Sequence, residues 1–166
     1  MDNLPAYHDC LFCGPDHPHG LRLKLRYNKA SVVAELSVDR GFQGYENTVH
    51  GGIVSGILDE VMWWAVTVGA RKMSFTRKIE VEFLRPMACG ERYRAEGRLT
   101  STRHGAFTAS GQIKDGSGRV IARAEALFMV AKTVSREEFA RKMDLSRLSP
   151  EMLEVFSAVL GLSPGP

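Results

Sequence analysis

Only three cysteines occur in the 166 residues, too few for a disulfide framework. Charge of one sign is also scarce: 22 Lys and Arg stand against 19 Asp and Glu, for a net +3 without a polybasic block. That balance argues against nucleic acid as a partner and weakly for a small anionic ligand. The N-terminal MDNLPAYHDC lacks a basic-then-apolar leader pattern, and the longest strictly apolar run, residues 61–66, is far shorter than a bilayer span. There is no internal repeat and no low-complexity stretch. These absences predict a soluble cytoplasmic protein in a reducing compartment, with no membrane association. What remains is an ordinary globular composition, 44% hydrophobic and 25% charged. A chain of this length buries about 70% of its unfolded surface and builds a core without staples.

The hydrophobic period changes along the chain and divides it into three parts. Residues 1–20 hold Pro5, Pro15, Pro18, Gly14 and Gly20 and read as an irregular N-terminal segment. Residues 21–132 carry period-two runs on either side of one helix. Leu21, Leu23, Leu25 and Tyr27 alternate with Arg22, Lys24 and Arg26; after a turn at Asn28-Lys29, Val32, Ala34, Leu36 and Val38 repeat the pattern. Four further strands are expected over residues 76–86, 92–101, 106–114 and 120–131, joined by turn-length links that imply an antiparallel sheet. Residues 133–166 shift to helical spacing, with Ser135-Arg-Glu-Glu138 as a capping box and Ser149-Pro150-Glu151 as a second helix start. The order is two strands, a helix, four strands and a helical tail. It predicts an α+β fold in which one antiparallel sheet wraps one long central helix, with short C-terminal helices as accessories.

The helix, expected over residues 52–70, is apolar nearly all round and should be buried. It nevertheless carries Asp59 and Glu60 at mid-length, and an ionised carboxylate there is costly unless paired or used. The two point about 100° apart and do not form an acid and base pair. Contact with solvent or with a partner's arginine would also accommodate either one. Just upstream, His50-Gly51-Gly52 places two residues without side chains at the helix N-terminus. Free N–H groups there can receive an oxyanion and let a carbonyl approach closely, although a plain helix-start turn has the same sequence.

The segment His50-Gly-Gly-Ile-Val-Ser-Gly-Ile-Leu-Asp59-Glu60 resembles the signature of hotdog-fold acyl-CoA thioesterases of the phenylacetate-pathway and 4-hydroxybenzoyl-CoA thioesterase type. The resemblance runs from Leu21 to about Lys132 and takes in Phe83-Leu84-Arg85-Pro86 and Asp115-Gly-Ser-Gly. It implies hydrolysis of acyl-CoA thioesters to free acid and coenzyme A by a homodimer or dimer of dimers, with no metal or organic cofactor. By this resemblance His50 opens the catalytic turn and Gly51 and Gly52 polarise the thioester carbonyl. Asp59 from the other subunit would act as general base or nucleophile, and Thr76 would orient the water. Many relatives carry an Asn or Gln six or seven residues before the histidine; here Gln43 stands in that region, and Asn47 is a poorer match. Arg103 and His104 align with a turn that contacts coenzyme A phosphates in relatives, and Arg85 is a further candidate. Arg71-Lys72 and Arg77-Lys78 follow on weaker grounds. A non-catalytic acyl-CoA binding or sensing protein on the same fold is the main alternative. A hydratase is disfavoured because no separated His and acidic pair is present.

Cys10-Leu-Phe-Cys13, with His8, His17 and His19 nearby, has the residue types of a zinc site. No second CxxC exists and the histidines crowd together in sequence. No metal is therefore expected, and the segment reads as an ordered cap over the pocket or dimer. Cys89 is a strand-turn residue.

Overall fold

A computed structural model describes residues 1–146 and 148–162. Helix α1, Gly51–Ala70, is held by an antiparallel sheet of β1 (Asp2–Asn3), β2 (Arg26–Tyr27), β3 (Val32–Leu36), β4 (Ser74–Phe83), β5 (Tyr93–Arg103), β6 (Ala106–Asp115) and β7 (Val120–Val130). Their order across the sheet is β1-β2-β3-β5-β6-β7-β4. Two short helices follow, α2 (Arg136–Arg141) and α3 (Pro150–Leu160), with Ser135 and Ser149 as side-chain N-caps. The single sheet around one helix is the expected architecture.

The wrapping follows from the apolar girth of α1, where Val54, Ile57, Leu58, Val61, Met62, Trp64, Ala65, Val66, Thr67 and Val68 are all buried. By length and composition this helix could cross a bilayer. Sheet and tail cover that apolar surface instead. The closest approach is at Gly97 on β5, where an added Cβ would lie 2.3 Å from the Val61 carbonyl oxygen. Gly97 pairs across the sheet with Gly111 on β6, where a Cβ would come 3.1 Å from Met62. The two glycines make a flat seat on which the helix backbone rests. On the opposite side, Phe156 of α3 packs on Trp64 with ring centroids 5.9 Å apart, and Phe139 of α2 stacks on Tyr7 at 5.0 Å.

Three details depart from the sequence expectation. The strand over residues 21–27 shortens to β2, because Arg22 takes a left-handed φ of 53° that breaks the alternation. Leu21 and Leu23 instead donate their N–H groups to the carbonyls of Leu11 and Phe12, which ties the N-terminal segment to the sheet. That segment is itself less irregular than expected, since β1 pairs with β2 and makes seven strands rather than six. The helix begins one residue earlier, at Gly51, with His50 as its N-cap.

The glycine seat is testable. Gly97→Ala should destabilise the chain by ~3 kcal/mol in urea unfolding, at the upper end of overpacking costs because the atoms in its way are backbone. Gly116→Ala, in a turn with nothing within 4 Å of an added Cβ, serves as the neutral control.

Candidate active site

The N-terminus of α1 lies against Phe83, and Trp63 near its other end donates Nε1–H to the Ser74 carbonyl at 2.7 Å. The helix therefore runs opposite to β4. Between these ends the Thr76 hydroxyl donates to Asp59 Oδ1 at 2.8 Å. Simple alternation would not produce this contact. Ile79 and Val81 are partly buried, while Lys78, Glu80 and Glu82 are exposed, so an unbroken period of two would turn Thr76 outward with them. The pairing of β4 with β7 slips between Thr76 and Lys78, leaving Arg77 as a bulge. The extra residue reverses the alternation: Ser74 becomes buried, Phe75 exposed, and Thr76 meets Asp59.

Burial lifts the Asp59 carboxyl above its usual value, and the Thr76 hydrogen bond partly offsets that rise. A carboxylate held this way is a stronger base than a solvated one while remaining reachable from solvent.

At the helix N-terminus, His50 Nδ1 accepts from the Gly52 N–H at 2.9 Å. The expectation of two free glycine donors is therefore halved in this chain. Gly52 is capped by His50, whereas the exposed Gly51 N–H has no partner among the described residues. His50 is exposed, caps the helix and makes no contact with Asp59. Gln43 turns inward on its own loop, its Oε1 accepting from the Asn47 N–H at 3.3 Å.

Gly51 and Asp59 sit eight residues apart on one helix, about 12 Å along its axis. No single carbonyl can touch both within one chain. The arginines are likewise separated. Arg103 and His104 form the exposed turn between β5 and β6, at the end of the sheet where Ala106 pairs with Met129 and Met129 with Phe75. Arg85 lies past Phe83 at the opposite end and donates Nη1–H to the Val120 carbonyl at 2.9 Å. The eight residues of β4 between those ends span about 26 Å, so Arg85 and the Arg103 turn do not share a site within one chain. Arg71 pairs with Glu154 at 3.5 Å and Lys78 with Glu80 at 3.2 Å, which leaves both on the solvated surface. A concavity of about 680 Å³ lies on the outer face of the sheet among Glu80, Glu96, Arg98 and Arg123, away from Asp59.

Glu60 takes the other side of the helix. Its Oε1 accepts from Trp64 Nε1 at 2.8 Å, and its carboxylate faces Cys10 Sγ. Burial pushes the Glu60 carboxyl up to about 7, with Cys10 adding to the rise. The Cys13 thiol and the backbone N–H groups of Cys13 and Phe12 draw Cys10 down to about 5, and Cys13 is pushed up in return. Helical spacing in the sequence separates Glu60 from Asp59 but does not name the Glu60 partner. The available signal was Gly56, one turn earlier on the same stripe, where the Phe12 ring occupies the space of a side chain.

With this geometry in place, the pattern of the thioesterase superfamily matches residues 46–122. That stretch of the chain is similar to the thioesterase superfamily. A thioesterase superfamily protein of known structure is 26% identical with a TM-score of 0.69, over 74% of this chain and 60% of that one. The chain thus spans less than two thirds of that relative. A Streptococcus mutans protein bound to acetyl CoA has a TM-score of 0.61 at 16% identity, over 70% of this chain and 97% of that one. The E. coli PaaI protein, from the phenylacetic acid degradation operon, has a TM-score of 0.61 at 14% identity, over 67% and 80%. These last two share the hotdog fold. No curated protein matches the chain.

The raised Asp59 value has a consequence for stability. Beside the fall that Glu60 contributes up to about 7, the folded chain holds the Asp59 proton to higher pH than the unfolded chain does, so Asp59's own contribution to stability falls as pH rises from about 3.8 to its folded-state value and is flat above it. Asp59→Asn should remove that slope from a series of thermal melts.

Proposed function

We propose that the protein hydrolyses acyl-CoA thioesters at a site completed by two copies of the chain. The observation that carries this reading is the Asp59 and Thr76 pair, a carboxylate of raised basicity held by a hydroxyl at 2.8 Å. Its distance from the free Gly51 N–H supplies the reason for two copies. Among the described residues β7 is the one strand that pairs with β4, and the other edge of β4, ten residues long, has no strand neighbour. Phe75 and Phe83 on this strand are each 55% exposed. An open edge of this length is a template for pairing. Two β4 strands paired antiparallel about a two-fold axis would set Phe83 of one copy opposite the Phe75 and Thr76 end of the other. Because Gly51 lies beside Phe83, its N–H would then approach the partner's Asp59.

In that arrangement the Gly51 N–H, at the positive end of the α1 dipole, stabilises the oxyanion formed from the thioester carbonyl. Asp59 either takes a proton from water as the water attacks or attacks the carbonyl itself, giving an anhydride that water then opens. In both routes the acyl–sulfur bond breaks, the acyl group leaves as the acid and coenzyme A leaves as the thiol. His50 serves by fixing the turn that presents Gly51. Arg103 and His104, exposed and without ion pairs among the described residues, suit the phosphates of coenzyme A. The coenzyme A and acetyl CoA of structural relatives are consistent with that donor.

Thiol release from a panel of acyl-CoA esters tests the reading. Asp59→Asn should lower kcat by roughly a hundred- to ten-thousandfold, with the fold intact. Thr76→Val should lower kcat less and, by removing a bond that favours the charged form, move the acid limb of kcat/KM to higher pH. Arg103→Ala should raise KM with little change in kcat, because a contact far from the thioester is felt equally in ground and transition states. Tight binding of every acyl-CoA tried without turnover by the wild type would replace this reading with a sensor. A stable monomer by light scattering would exclude the shared site.

A further inference from the structure

The N-terminal segment and helix α1 meet at a cluster that the hydrolytic site does not use. Cys10 Sγ, Cys13 Sγ and a carboxylate oxygen of Glu60 all lie within 4.8 Å of one another, and Cys10 Sγ stands 3.7 and 3.8 Å from the two Glu60 oxygens. We propose that Cys10, Cys13 and Glu60 hold one zinc-class divalent cation that fastens the N-terminal segment to helix α1, leaving a fourth position for water.

The spacing fits that role. A Zn–S bond of about 2.3 Å and a Zn–O bond of about 2.1 Å meeting at a tetrahedral angle put sulfur and oxygen roughly 3.6 Å apart. The turn is built before any ion arrives. Backbone N–H groups of Phe12 and Cys13 point at Cys10 Sγ, at 3.3 and 3.5 Å, which orients the sulfur as outer hydrogen bonds orient a metal ligand. Gly14 closes the turn by donating to the Cys10 carbonyl at 2.9 Å, and a Cβ there would lie 2.4 Å from the His8 carbonyl oxygen, so only glycine fits. Phe12 anchors the turn on the helix: its ring fills the place of a side chain at Gly56, 2.0 Å from where a Cβ would be. Glu60 makes no ion pair with a Lys, Arg or His among the described residues. Two soft sulfurs and one carboxylate with no neutralising side chain favour zinc over the hard, oxygen-seeking cations.

Two of the histidines that the sequence offered as ligands are engaged elsewhere. His8 bonds to Asp16 at 2.6 Å and His17 Nδ1 accepts from the His19 N–H at 3.2 Å. The third ligand comes from 47 positions beyond Cys13, out of reach of any spacing rule. Binding displaces the protons of the thiols and of any protonated Glu60 into solvent, and no redox change occurs.

The test uses the tag-free full chain, purified under reductant, incubated with Zn²⁺, desalted and assayed for metal by mass spectrometry. One zinc per chain is expected. With Co²⁺ in its place, a near-ultraviolet thiolate-to-cobalt charge-transfer band of two-thiolate intensity should appear. Cys10→Ser and Cys13→Ser should abolish retention. Glu60→Gln should weaken Zn²⁺ binding on the order of tenfold to a hundredfold in competition with a chelator. No zinc retained by the wild type, a Cys10–Cys13 disulfide persisting under reductant, or retention unchanged in the folded variants would overturn the site. Should a cysteine variant fail to fold, the wild-type cobalt spectrum decides, since bound cobalt without a charge-transfer band means that sulfur is not a ligand. The readout is independent of hydrolysis, so it stands or falls apart from the proposed activity.

Discussion

The contact on which the rest of the structure depends is the seating of α1 on Gly97 and Gly111. Side chains at these positions would lift the helix off the sheet. With the helix down, its apolar girth is covered by β4 to β7 on one side and by the aromatic tail and N-terminal segment on the other. A helix gripped on nearly all sides has few routes for a charged group to reach water. The two carboxylates at its midpoint must therefore find partners supplied by whatever packs there.

Their partners differ because they point in different directions. Asp59 faces β4, where a bulge at Arg77 turns Thr76 inward and supplies a hydroxyl. The reversal costs a ladder pairing but yields a carboxylate that is restrained, basic and still accessible. Glu60 faces the N-terminal segment, where Trp64 donates to one oxygen and the CxxC turn closes over the pair. The two carboxylates of one helix thus face different partners about 100° apart, and the Asp59 charge adds only the last of the causes that raise Glu60.

The rigid separation of Gly51 from Asp59 imposes a further constraint. A helix cannot bend its N-terminus back to its own midpoint, so an oxyanion donor and a base on the same helix can cooperate only across an interface. Strand β4 lies at the open edge and carries Thr76, which places the free edge beside half of the proposed site. Interface and catalysis would then be set by one strand, and the exposed Phe75 and Phe83 would be covered when it pairs.

Much of this was legible in the sequence. The period-two runs of β3 to β7, the apolar helix with its mid-length carboxylates and the capped tail helices follow from local patterns, because burial acts on each element at its own repeat. His50-Gly-Gly and Asp59, nine positions on, could likewise be read, since their relation is fixed by a single helix. What the sequence could not decide were relations between elements. The occupation of the Gly52 N–H by His50 depends on a rotamer, and the meeting of Thr76 with Asp59 depends on a bulge that strict alternation denies. The separation of Arg85 from Arg103 depends on sheet order. The union of Cys10 and Cys13 with Glu60 depends on Phe12 finding the gap at Gly56. Each is a tertiary choice, made when the packing of one element against another overrides the periodicity within it.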